Sequence, residues 1–193
     1  MAIPRRTLLS IALTSPALAA PADTARGERG MGSRQAALTA IECFSLTCPH
    51  CADFDLVSLP ELKAKWIASG KLRWVFYDYP TDRAALLAAA VARYLPPERY
   101  DGFLDTLFAN QDRWVFGAGS VPDSLWPLAN GAGMDRSTFD HALADAGLQD
   151  WIVGRAVDAE KRWKIDATPS FVINGKVYEG AMSAAEFATI LGG

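Results

Sequence analysis

Two cysteines, Cys48 and Cys51, flank a proline and a histidine where a strand-like run gives way to a helical pattern. The run Leu38-Thr39-Ala40-Ile41-Glu42-Cys43-Phe44 has the branched and aromatic residues of a strand. A helix is expected to begin at the cysteine motif and continue to about Ser69, with Pro60 kinking or restarting it and Gly70 ending it. Leu72-Arg73-Trp74-Val75-Phe76-Tyr77 reads as a second strand. Strand, helix and strand in that order make a βαβ unit, with parallel strands and a right-handed crossover. The junction constrains the chain more than any other feature, because it sets both cysteines at the amino end of a helix beside a sheet.

Unpaired N–H groups and the helix dipole favour an anion at that end. Cys48 is therefore expected to ionise easily and act as the exposed nucleophile, whereas Cys51 lies a turn inside and is less accessible. His50 adds a donor near the Cys48 sulfur, and Pro49, which lacks an N–H, suits a first helical turn. A stabilised thiolate is a good leaving group, so a Cys48–Cys51 disulfide would be oxidising. Other readings of the pair stay open here: a structural disulfide, packing, or part of a metal site. A metal would have to draw on Cys43, His50, His141 or carboxylates, since there is no second Cys-x-x-Cys. Copper(I) accepts two thiolates, so a copper(I)-binding module is the alternative from another class.

Residues 81–164 are helical in pattern. Helices are expected over Thr81–Leu95, from Pro97 through Phe108, briefly over Leu125–Ala129, and over Asp135–Ala146 with Gly147 closing the last. Ile152, Ala156, Ala159 and Trp163 mark a final long helix of this insertion. Asn174-Gly175 between Ser170–Ile173 and Lys176–Glu179 is a strong hairpin signal. Ser183-Ala184-Ala185-Glu186 is a capping box for a last helix. The expected class is α/β: a βαβ half over 35–80, a helical insertion over 81–164, and a ββα half over 165–193. Thr168-Pro169 stands just before the hairpin, where a cis bond would present the Thr168 backbone; taken alone, an X-Pro bond is usually trans.

Arg5 and Arg6 precede a short apolar stretch, and Ala17-Leu18-Ala19 is a small-x-small cleavage site. Residues 1–19 thus read as a secretory signal peptide, by the Sec or the twin-arginine route, followed by a flexible lead-in over 20–34. The apolar stretch is too short to span a bilayer comfortably, so the mature form is expected not to cross a membrane. The 193-residue chain is 50% hydrophobic and carries a formal charge of −3, which suits one globular domain and offers no basic face for nucleic acid. The 6 tryptophans are expected to be mostly core, and His141 a surface residue.

The segment Ile41 to Cys51 and the segment Ala167-Thr168-Pro169-Ser170-Phe171-Val172-Ile173-Asn174-Gly175, with a large helical stretch between them, resemble DsbA-like thiol:disulfide oxidoreductases of the thioredoxin-fold superfamily. The resemblance covers roughly residues 32–191. It implies a thioredoxin-like fold with Cys48 attacking, Cys51 resolving, and Pro169 as a cis-proline opposite them. It implies Thr168, Pro169 and Pro49 in peptide binding, and Glu42 as a buried acid with a raised pKa that relays the Cys51 proton. It also implies a periplasmic protein that oxidises reduced exported polypeptides and is recharged by a quinone-linked membrane partner; a monomer is expected. No bound cofactor or metal is implied, because the cysteines carry the electrons. Two departures stand out. Cys43 occupies a position usually aromatic or aliphatic and is expected to be inert packing. Thr168 also occurs before the cis-proline of disulfide isomerases, which leaves an isomerase or reductase as the alternative direction.

Overall fold

The computed structural model describes residues 24–192; the signal read over 1–19 lies outside the described residues. In chain order the elements are β1 (Arg29–Met31), β2 (Leu38–Phe44), α1 (Pro49–Asp53), α2 (Leu59–Leu62), β3 (Leu72–Asp78), α3 (Arg83–Tyr94), α4 (Pro97–Ala109), α5 (Gln111–Trp114), α6 (Val121–Gly131), α7 (Arg136–Ala144), α8 (Ala146–Trp163), β4 (Ser170–Ile173), β5 (Lys176–Glu179) and α9 (Ala184–Ile190). Wider π turns at Phe54–Ser58 and Lys63–Ile67 join α1, α2 and the end of that run into one helical path. Pro60 sits in the first turn of α2, where its missing N–H leaves no bond unmade.

The sheet has five strands in the order β1-β3-β2-β4-β5. β2 and β3 are parallel, with Glu42 opposite Phe76, and the remaining pairs are antiparallel. The β4–β5 turn is Asn174-Gly175, both at positive φ (50° and 79°), the backbone of a type I′ hairpin. Helices α3 to α8 form the insertion between the βαβ and ββα halves.

Side-chain alternation along β2 splits the core in two. Ala40 and Phe44 join a large cluster with Trp74, Phe54, Phe171 and Phe187, bringing α9 and the α1–α2 path onto one face of the sheet. Phe54 stacks on Trp74 at 5.8 Å between ring centres, and Phe171 meets Phe187 edge-on at 5.0 Å. On the other face Cys43 packs with Tyr77, Tyr79, Val172 and the α8 residues Ala156 and Ala159. All six tryptophans lie in or against these clusters. His141 is exposed and leans edge-on against Tyr94.

Three expectations change. The described part of the 20–34 lead-in packs onto the sheet: Arg29–Met31 pairs with β3, and Ala25 and Arg29 are buried. The cause is a buried charge cluster. Arg93 pairs with Asp78 at 2.5 Å and donates to the carbonyls of Ala25 (2.8 Å) and Gly27 (3.1 Å), while Arg29 donates to the Arg93 carbonyl at 2.8 Å. Tyr100 donates its hydroxyl to the other Asp78 oxygen at 2.9 Å. Second, Gly147 closes no helix. α7 ends at Ala144, and Asp145 caps α8 by accepting from Leu148 N at 2.8 Å, which puts Gly147 in the first turn of α8. Third, the helix expected over Leu125–Ala129 is longer, because Ser120 caps it at Asp123 N and Pro127 is carried inside it.

Because Asp78 and Arg93 are both fully buried, Arg93→Met strands a carboxylate in the core. We expect a loss of about 3–5 kcal/mol in urea unfolding, and faster proteolysis near residues 24–31. A loss below about 1 kcal/mol would show that the cluster does not anchor this segment.

Candidate active site

The sheet and the helical path converge on Cys48. β2 ends at Phe44, and Ser45, Leu46 and Thr47 carry the chain to Cys48, whose extended backbone (φ −79°, ψ 119°) makes it the cap residue before Pro49. Cys48 is half-buried, Cys51 is buried, and both are free thiols. Pro49 and His50 are exposed.

The peptide bond Thr168–Pro169 is cis. The Cys48 thiol donates to the Thr168 carbonyl at 3.3 Å, so the segment before β4 lies against the sulfur. Thr168 is half-buried and Pro169 buried; the Pro169 carbonyl accepts from Gly180 N at 2.8 Å.

The two thiols have opposite environments. A hydrogen bond from the Cys51 thiol is the main stabiliser of a Cys48 thiolate, opposed by partial burial and aided by Thr168 and the main-chain N–H groups of Cys51 and His50. Together they lower Cys48 to about 5. Thr168 thus offers both chemistries: its carbonyl accepts from the thiol, and its side chain favours the thiolate. Burial, reinforced by the bond to Cys48, pushes Cys51 far above the ordinary thiol range. The pair therefore rests as one thiolate and one thiol.

Glu42 lies on β2 beneath the motif and is 1% exposed. Trp74 Nε1 donates to one of its carboxyl oxygens at 3.1 Å, and the other has no partner. Burial raises its pKa to about 8, with the Trp74 bond pulling the other way, so it is protonated at neutral pH. Asp55, which the sequence reading passes over, is also buried, with neither carboxyl oxygen partnered. Burial, then the nearby Glu42 charge, raises it to about 9. At the outer edge of this acidic group Lys63 pairs with Asp101 at 2.8 Å and Asp105 at 3.4 Å. Cys43 lies on the opposite face of the sheet, raised to about 12 chiefly by burial, and belongs to a packing cluster rather than to this site.

The loop before Cys48 is tied to the insertion. Thr47 Oγ1 donates to Asp82 Oδ2 at 2.5 Å, and Asp82 caps α3 by accepting from Ala85 N at 2.8 Å. Gln111, in α5, donates to the Leu46 and Cys48 carbonyls. Leu56 and Val57, in the turn after α1, and Phe116, just after α5, are exposed, Val57 at 75% and Phe116 at 67%. A depression of about 270 Å³ beside α1 is lined by Asp53, Phe54, Val57, Ser58, Ala181, Met182 and Ser183. A larger cavity, about 480 Å³ between α4 and α6, contains none of these site residues. Among the described residues no three His, Cys, Asp or Glu side chains group as a metal site. No helix there is long and apolar enough to cross a membrane.

A family model described as thioredoxin matches residues 24–192. A Rickettsia bellii protein named as a protein-disulfide oxidoreductase is 27% identical over 146 residues, 75% of this chain and 56% of that protein. The chain thus spans about half the length of the Rickettsia relatives it matches. Among solved structures, alpha-DsbA1 of Wolbachia pipientis superposes with a TM-score of 0.80 at 26% identity, covering 86% of this chain and 89% of that one. BdbD of Bacillus subtilis shares the fold, with a TM-score of 0.75 at 22% identity and coverage of 86% and 91%.

The raised pKa of Glu42 gives a sign for stability against pH. Between its ordinary 4.5 and about 8 the native state holds a proton that the unfolded chain has lost, so stability falls as pH rises through that window. Asp55 acts in the same direction and Cys48 in the opposite one. We therefore expect reduced Glu42→Gln to gain on the wild type as pH rises through the window, by up to about 1.4 kcal/mol per unit, in urea midpoints. A constant gap would mean that Glu42 is not held protonated.

Proposed function

The chain belongs to the thioredoxin family, and on that premise we propose that it is a thiol–disulfide oxidoreductase of the DsbA type that donates disulfides to reduced exported polypeptides through Cys48 and Cys51. The observation that carries this is the asymmetry of the pair: donors lower Cys48 to about 5 while Cys51 stays a buried neutral thiol. Stabilising the dithiol form in this way makes the disulfide a strong oxidant.

In the first step a substrate thiolate attacks Cys48 Sγ, the Cys48–Cys51 bond breaks, and Cys51 leaves with the electron pair and takes up a proton. Protonated Glu42, buried beneath the motif, is the group we assign to supply it. In the second step another substrate thiolate attacks the substrate sulfur of the mixed disulfide and expels Cys48 as its stabilised thiolate. The substrate loses two electrons and the protein gains them, with no bound cofactor. His50, exposed beside Cys48, adds its main-chain N–H to the sulfur's donors. Thr168 and Pro169 offer backbone beside the sulfur for an extended substrate, with Pro49 on the exposed rim. The exposed Leu56, Val57 and Phe116 suit unfolded chains that display apolar side chains.

The signal-like residues 1–19 support a periplasmic location. The resemblance to DsbA-like proteins supports recharging by a quinone-linked membrane partner, with the chain acting as a monomer. Thr168 before the cis-proline favours a second direction, isomerase or reductase for selected substrates.

Stoichiometric oxidation of a reduced, unfolded client separates these readings. The oxidised protein should transfer its disulfide completely, Cys51→Ala should accumulate a mixed disulfide at Cys48, and Cys48→Ala should form none. Reactivation of scrambled ribonuclease much faster than by glutathione alone, without net oxidation of the reduced client, would move the assignment to isomerase.

A further inference from the structure

Gln111 stands 63 residues beyond Cys48, in the short helix α5 of the insertion, and is 7% exposed. Its side-chain nitrogen donates to the Leu46 carbonyl at 2.8 Å and to the Cys48 carbonyl at 3.1 Å. A primary amide carries two N–H bonds on one nitrogen, so a single side chain can hold both carbonyls. Those carbonyls lie on either side of Thr47, which Asp82 holds by its hydroxyl. The Cys48 carbonyl also accepts from Ala52 N at 3.2 Å, the bond that opens the helix.

The orientation of the Cys48 main chain decides whether its sulfur lies under the N–H groups of His50 and Cys51. The Cys48 N–H donates to the Ser45 carbonyl at 3.1 Å, and the side-chain bonds to its carbonyl side come from Gln111. The main chain of Gln111 is fixed as well: its carbonyl accepts from Val115 N at 2.9 Å and Phe116 N at 3.3 Å, the turn that lifts Phe116 to the surface. A rigid element of the insertion thus reaches across to the loop of the reacting cysteine.

We propose that Gln111 is the positioning residue for Cys48, and that through it the helical insertion holds the sulfur against its donors. Gln111 touches neither the sulfur nor a substrate; it acts through the Cys48 and Leu46 carbonyls. This rests on the assignment of Cys48 as the reacting thiol. It gives the insertion a part in tuning the thiolate.

The test is Gln111→Leu, which keeps bulk and removes both donors, with Gln111→Met as a second variant should the first fail to fold. The readouts are the ultraviolet thiolate titration of Cys48 and the equilibrium with glutathione, each on protein shown to be folded. The variant's Cys48 midpoint is expected about one pH unit above that of the wild type. The equilibrium constant should shift about tenfold toward the disulfide form, about 30 mV more reducing. An unchanged midpoint and equilibrium, with only a lower unfolding midpoint, would overturn the proposal and leave Gln111 as a packing residue. A wild-type midpoint in the ordinary thiol range would instead overturn the functional reading, since the baseline itself would lack the stabilised thiolate.

Discussion

The charge on Cys48 is what the rest of this structure serves. A lone thiolate at a protein surface gains little, but one seated at the amino end of a helix meets N–H groups that have no helical acceptor. Here the main-chain N–H groups of His50 and Cys51, the Cys51 thiol and Thr168 converge on the same sulfur. Each comes from a position that the sheet fixes. β2 delivers Cys48 to the helix end, and β4, hydrogen-bonded to β2, delivers Thr168 to its side. The parallel β3 places Trp74 where its indole can bond Glu42 below.

The charges buried around the site divide into two kinds. Asp78 and Arg93 are mutually compensated, with Tyr100 and main-chain carbonyls taking further bonds, and they tie the described N-terminal segment to the sheet. Glu42 and Asp55 are buried carboxyls with raised pKa values, and apart from the Trp74 bond to one Glu42 oxygen their oxygens lack the partners that a charged acid would need. The first arrangement suits anchoring. The second keeps protons beneath a pair of sulfurs, where the proposed exchange would consume and release them.

Much of this was legible in the sequence because it rests on local rules. The limits of β2 and β4, the Asn174-Gly175 turn and the Ser183–Glu186 capping box follow from residue types at fixed short spacing, and the structure contains each. The cap position of Cys48 was legible too, since it follows from a strand-to-helix junction. What was not legible depends on contacts distant in sequence. Three residues, Arg29–Met31, carry no strand pattern, and the Arg29 side chain bonds the carbonyl of Arg93, 64 residues away. Asp55 looks like a solvent-facing residue on a helix until neighbouring elements bury it. Gln111 has no local signature, because its partners are carbonyls, which any residue supplies. Gly147 misled because glycine after a helical run usually ends it, whereas the Asp145 cap had already begun the next one.

The reduction potential of the Cys48–Cys51 pair, measured by equilibrating the folded protein with glutathione buffers, tests the central claim most directly. Thiolate stabilisation of this kind predicts a value nearer that of DsbA, about −120 mV, than that of thioredoxin, about −270 mV. A value at or below that of thioredoxin would contradict the account, because the donors around Cys48 would then not favour the dithiol form enough for the pair to act as an oxidant.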